Sequence, residues 1–185
     1  MKTVRWHYLF LALVAGSVWA LDQASKAWIR ENLALGAMIP VLQAPLSVRI
    51  VHWFNRGGVF GLFQEFSWGW TILALLITLA LIRFYPHLAQ DSWLRWALAL
   101  QLGGALGNLT DRIWRGYVTD FIAVDDFPVF NFADVAITLG ILLLLWSAWR
   151  TETPPEEDTK NPPNVEATGT PPQERFSFSV DEQEH

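Results

Sequence analysis

Asn108, Asp111 and Arg112 close the run Gly103-Gly104-Ala105-Leu106-Gly107-Asn108-Leu109-Thr110-Asp111-Arg112, and their i, i+3, i+4 spacing puts them on one helix face. Asp120 follows after a turn at Gly116, and Asp134 opens the next apolar run in Phe130-Asn131-Phe132-Ala133-Asp134. Two carboxylates that share a site do not both ionise easily, so one holds a proton while the other acts as base. Such a pair can activate water against a peptide carbonyl, one Asp taking the water proton and the other donating to the carbonyl oxygen. Asn55, Asn108, Asn131 and Arg112 could hold backbone or orient the acids.

The same residues admit blander uses. Asp22 and Lys26 form an i, i+4 helix pair; Asp111 can pair with Arg112 or Arg115, and Asp120 with Arg115. Asp125 and Asp126 read as solvated loop acids, whereas Asp134 has no base within a helical turn. Clustered oxygens can also hold a cation, but His52 is the only histidine near this face, which disfavours zinc. No metal site and no cofactor is expected. A proton or ion carrier would use these acids too, although no internal repeat is present. A membrane scaffold would keep them as salt bridges.

The elements that position these residues are apolar. Of 185 residues, 52% are hydrophobic and 17% charged, with eleven tryptophans and no cysteine. That composition matches a small integral membrane protein and excludes disulfides and thiolate sites. The net charge of −5 arises in the tail, since residues 151–185 hold nine of the eighteen acids and two of the thirteen bases. No basic patch suits nucleic acid. The chain divides into a membrane domain over 1–150 and an acidic, Pro-rich tail over 151–185 expected to be disordered.

Uncharged runs cover Trp6–Leu21, Phe66–Ile82, Trp96–Thr110 and Val135–Trp149. Trp6–Leu21 has the look of a cleavable leader ending at Val18-Trp19-Ala20, but the helical pattern continues through Asp22 to Ile29 and favours a retained helix. A spanning helix needs about 20 residues. Three of the runs reach that length only by taking in Asp22, Asp111 with Arg112, or Asp134, so these acids sit at or inside the membrane edge. Residues 30–65 are punctuated by Gly36, Pro40 and Pro45, and Leu46–Phe54 has β-branched and aromatic content. The fold class expected is an all-α membrane protein: four transmembrane helices with a small extracytoplasmic β-sheet region between helices 1 and 2, and a short polar connection over 83–95. Four crossings bring Asp22, Asn55, Asn108, Asp111, Asp120, Asn131 and Asp134 to one membrane face. Lysine and arginine flank both sides, so the positive-inside rule does not orient the chain.

Four blocks together carry a resemblance: Asp22-Gln23-x-x-Lys26, Asn55-x-Gly57-Gly58-Val59-Phe60-Gly61, the Gly103–Arg112 stretch with Gly116-Tyr117-Val118-x-Asp120-Phe121, and Phe130-Asn131-Phe132-Ala133-Asp134. In this order they resemble lipoprotein signal peptidase, or signal peptidase II, over roughly residues 8–150. The resemblance implies an aspartic endopeptidase of the bacterial inner membrane that removes signal peptides from prolipoproteins, cutting before the diacylglyceryl-modified cysteine. It implies Asp120 and Asp134 as the catalytic dyad. Asp22, Lys26, Asn55, Gly57, Asn108, Asp111, Arg112 and Asn131 take supporting or substrate-binding places. It further implies cytoplasmic termini, an active site toward the periplasmic or outer face, and segments 36–60 and 113–130 in contact with lipid and substrate. Nothing demands more than a monomer. Gly58-Val59 stands where alanines are more usual, and the interval from Asp120 to Asp134 leaves a short loop to close over substrate.

Overall fold

The computed structural model describes residues 2–57, 67–88 and 91–152. Gly58-Val59-Phe60-Gly61 and the tail from Thr153 onward lie outside the described residues. The elements in chain order are α1 (Lys2–Asn32), β1 (Met38–Leu42), β2 (Val48–Asn55), α2 (Ser67–Leu88), α3 (Ser92–Arg115), β3 (Val118–Val124) and α4 (Phe132–Glu152).

Each helix outruns its uncharged stretch because its polar end is helical as well. α1 continues unbroken past Val18-Trp19-Ala20 through Asp22 and Lys26, α3 takes in Asp111 and Arg112, and α4 starts before Asp134. At about 1.5 Å per residue, helices of 21 to 31 residues are about 31–46 Å long, enough for a hydrocarbon core about 30 Å thick. Three of them, α1, α2 and α4, are long and apolar enough to cross a membrane. Their outer surfaces expose large aliphatic side chains, Leu73, Leu76, Leu79, Leu142 and Leu145 among them, which suits contact with lipid and not with water.

α3 is the inner helix. It packs against α1, α2 and α4, while α2 and α4 scarcely touch one another. Glycines make this closeness possible. A Cβ on Gly103 would lie 2.6 Å from Val18 Cβ, and one on Gly104 would lie 2.4 Å from the Ala133 carbonyl oxygen. At the end of α3 away from Asp111, Leu11, Ala15, Tyr85, Leu98, Ala99 and Leu102 form a buried apolar cluster.

Two expectations are corrected. The sheet is three-stranded and antiparallel in the order β1-β2-β3; only two strands come from between α1 and α2, and the third lies between α3 and α4. Val118, Thr119, Phe121, Ile122 and Val124 give that segment strand chemistry, and β2 offers it an edge to pair with. The connection over 83–95 is also shorter than expected, because α2 runs on through Pro86 to Leu88 and α3 starts at Ser92. So near the helix end, Pro86 removes only one intrahelical hydrogen bond. β1 is one edge of the sheet, where Pro40 costs little.

Candidate active site

α3 ends where Gly116 adopts the left-handed conformation (φ 76°) and its N–H donates to the Arg112 carbonyl at 3.0 Å. The chain then turns into β3, which pairs with β2 so that Asp120 stands opposite Trp53 and Val118 opposite Asn55. Phe130 pairs back onto Ile122, which delivers Asn131 to the start of α4. There Asn131 Oδ1 accepts from the Asp134 N–H at 3.1 Å, and Asp134 Oδ2 accepts from the Asn131 N–H at 3.1 Å. This reciprocal cap satisfies two backbone donors and fixes the Asp134 side chain.

Three amides then join the acids. Asn131 Nδ2 donates to Asp120 Oδ1 at 2.7 Å, and Asn108 Nδ2 donates to Asp134 Oδ1 at 2.8 Å. Asn55 also hydrogen-bonds Asp120. Each amide is turned this way because its oxygen is already taken. Gly57 N–H donates to Asn55 Oδ1 at 2.9 Å, Lys26 Nζ to Asn108 Oδ1 at 2.9 Å, and the Asp134 N–H to Asn131 Oδ1. The NH2 groups are thereby left to face the carboxylates.

Behind this layer lies a buried ionic cluster. Asp22, Lys26 and Asp111 are each 0% exposed. Lys26 Nζ lies 2.8 Å from Asp22 Oδ2 and 3.5 Å from Asp111 Oδ2. Asp111 also holds Arg115 at 3.1 Å and Arg30 at 3.5 Å, and accepts from the Thr119 N–H at 3.0 Å. Asp22 Oδ1 accepts from the Ala133 N–H at 3.0 Å, so an acid on α1 caps α4. α1, α3, β3 and α4 are joined through these few side chains.

A cavity of about 1400 Å³ opens in front of the acids. Asp120, Asp134, Asn55, Asn108 and Arg112 line its polar end. Trp70, Leu73 and Ile77 of α2 and Ile137, Thr138 and Ile141 of α4 line the rest, in the gap that α2 and α4 leave between them. Arg112 reaches the Gly57 carbonyl at 3.4 Å. Asp120 is only 3% exposed. Burial first, and then the neighbouring Asp134 charge, push its carboxyl up to about 7, while Asn131, Lys26 and Asn55 act in the opposite direction. An acid that holds its proton near neutrality, beside a second carboxylate and a cavity, is equipped for paired acid–base chemistry.

The residues singled out in the sequence thus meet at one place. Arg115 serves Asp111, and Asp120 is held by amides. Asp125 is exposed in the β3–α4 turn, as a solvated loop acid should be, and at φ 43° it also accepts from the N–H of Ser47, just before β2, at 2.8 Å. Sequence reasoning missed Thr119, which is fully buried, gives its N–H to Asp111 and accepts from Arg30 at 3.0 Å. Strand alternation beside Asp120 was the available signal. Of the aromatic lining from Trp53, Phe54, Trp70, Phe127 and Phe130, only Trp70 lies outside the two segments expected to contact lipid and substrate, and as one of many tryptophans in the chain it carried no signal of its own.

Comparison with known proteins identifies the family. The family described as Signal peptidase (SPase) II matches residues 14–150. A lipoprotein signal peptidase of Moorella thermoacetica is 44% identical over 143 residues, covering 75% of this chain and 90% of that protein. One from Bartonella tribocorum is 35% identical over 165 residues, covering 85% and 97%. Among solved structures, a bacterial membrane enzyme determined by the in meso method at 2.3 Å superposes with a TM-score of 0.74 at 30% identity, covering 80% of this chain and 92% of that one. The chain belongs to the signal peptidase II family of aspartic peptidases.

Proposed function

We propose that this protein removes signal peptides from diacylglyceryl-modified prolipoproteins, cutting on the N-terminal side of the lipidated cysteine, with Asp120 and Asp134 as the catalytic pair. The observation that carries the reading is the joint cavity: two acids share its polar end, and an apolar wall between α2 and α4 continues from them. A lipidated cysteine has both parts, a peptide bond to present to the acids and acyl chains to lay along the helices.

Asp120, buried and pushed up to about 7 by that burial and by the neighbouring Asp134 charge, carries the shared proton. Asp134 takes a proton from water as the water oxygen attacks the scissile carbonyl carbon, and Asp120 gives its proton to the carbonyl oxygen. When the tetrahedral intermediate collapses, the C–N bond breaks. Asp134 returns its proton to the leaving nitrogen, and the hydroxyl proton goes back to Asp120. The products are a signal peptide with a new carboxyl end and a lipidated cysteine with a free amine. Arg112, at the cavity wall, is placed to hold substrate carbonyls. No metal or cofactor enters these steps.

In this reading α3 crosses the membrane with the other three helices. The termini are cytoplasmic, and the sheet and acids lie toward the periplasmic or outer face of the bacterial inner membrane, with the protein acting as a monomer. The polar end of α3 is buried among α1, β3 and α4, which removes the objection that its composition is not that of an isolated span. The test is cleavage of a lipidated precursor by purified protein in detergent or vesicles. Asp120→Asn and Asp134→Asn should each lower the rate by on the order of 100- to 10,000-fold while the protein still inserts. Full activity in either variant, or acid-dependent ion flux without hydrolysis, would sink the reading.

A further inference from the structure

The three amides around the acids are not fixed alike. Backbone N–H groups hold the oxygens of Asn55 and Asn131, and no side-chain substitution removes them. The oxygen of Asn108 is held by side chains instead, most closely by the ammonium of Lys26 at 2.9 Å and also by Asn131 Nδ2 at 3.2 Å. We propose that Lys26 is a positioning residue for the acid pair: seated on Asn108 Oδ1, it turns that amide so that Nδ2 donates to Asp134 Oδ1. This rests on the peptidase reading above and adds to it a device that keeps Asp134 ready to act as base.

Charge and geometry leave Asn108 little choice. Rotated by half a turn, its NH2 would face an ammonium and its oxygen would face a carboxylate, two repulsive contacts at a buried amide. A lysine kept only for charge balance would be served by Asp22 at 2.8 Å and Asp111 at 3.5 Å. The third contact, to Asn108, is the one that leads to the reacting acids, and Asn131 Nδ2 also reaches Asn108 Oδ1 at 3.2 Å. The charged groups around this contact come from every packed element: Asp22 from α1, Asp111 and Arg112 from α3, Asp120 from β3 and Asp134 from α4. Arg30 and Arg115 address Asp111 through its other oxygen.

Lys26→Met alone would strand buried Asp22, so the decisive variant is the neutral pair Asp22→Asn with Lys26→Met, in which the asparagine oxygen can still accept from Ala133 N–H. Asp22→Asn alone is the reference. With a lipidated precursor peptide, the double variant is expected to keep a thermal midpoint near the reference, lose kcat by on the order of 100-fold and change KM little. Its activity maximum should move to higher pH, because the Lys26 charge lowers the Asp120 carboxyl and removing it favours the protonated form of Asp120. In the Asp22→Asn background, adding Asn108→Leu to Lys26→Met should cost nothing further, since two residues acting through one contact are not additive. A double variant with the kcat and pH profile of the reference would overturn the proposal, as would additive losses. If the double variant does not insert, Asn108→Leu alone decides: it leaves Lys26 on both carboxylates, so wild-type kcat there would overturn the proposal. Failure of the wild-type protein to cleave the precursor would instead remove the peptidase reading itself.

Discussion

The two ends of α3 carry the same residue types and treat them oppositely. At its start, exposed Asp91 caps the helix, accepting from the Leu94 N–H and from the Ser147 hydroxyl, each at 2.9 Å. The Leu94 N–H, more than any other influence, holds its carboxyl below the ordinary value. Beyond the other end, Asp120 is shut away from water next to a second acid and is pushed up to about 7. Donors alone do not account for the contrast, since Asp120 also accepts hydrogen bonds from amides. What differs is water. Where solvent remains, an acid is an anion that finishes a helix; where it is excluded, a like-charged neighbour makes one proton shared property.

The sharpest break of that comparison is Asp120→Asn, and its size was given above. Its pH signature adds to it. An acid raised from 3.8 to about 7 on folding binds its proton more tightly in the folded chain. Its favourable contribution is complete below about pH 4 and is lost as pH rises through about 7. The thermal midpoint of Asp120→Asn in detergent should therefore gain on wild type as pH goes from 5 to 8, and wild-type cleavage should fall as pH rises past about 7. A parallel pair of stability curves would contradict this. Next in size is Asp111→Asn. It strips Arg115, Arg30 and Lys26 of their shared carboxylate, and breaking a buried ion pair costs about 3–5 kcal/mol. A thermal midpoint within a degree or two of wild type would show the cluster to be dispensable.

The same contrast marks what was legible in the sequence. Asp22, Lys26, Asp111 and Arg112 were readable because i, i+4 spacing and run length are local properties, and apolar runs too short to span pointed to acids at the membrane edge. Asp120 and Asp134 were readable as acids at segment boundaries. The third strand was not, because seven residues with an aspartate among them look like loop until β2 provides an edge. Nor could the sequence reveal that Asp22 caps α4 from 111 positions away, or which way each amide is turned. Those facts belong to helix packing and to the competition for each oxygen, neither of which is periodic along the chain.

Packing offers a milder perturbation of the buried end. A Cβ at Gly107 would lie 2.5 Å from Asp22 Oδ2 and 3.2 Å from Ala133 Cβ. Gly107→Ala must therefore push α1 or α4 outward and loosen the Asp22–Ala133 cap without removing any charge. Overpacking of this kind costs about 1–3 kcal/mol, and cleavage should fall with it. Unchanged activity and midpoint would mean that the helices adjust freely here.

The smallest effect belongs to the exposed end. Asp91→Ala removes the α3 cap and the bond to Ser147, and an N-cap of this kind is worth about 1 kcal/mol. The thermal midpoint should drop slightly and by the same amount at pH 6 and pH 8, because Asp91 is ionised at both. Cleavage rate and its pH profile should not move, since the far end of α3 is held by its own contacts to α1, β3 and α4. A shifted pH profile in Asp91→Ala would mean that the two ends of α3 communicate through the helix, and that the acid pair depends on more than the water excluded around it.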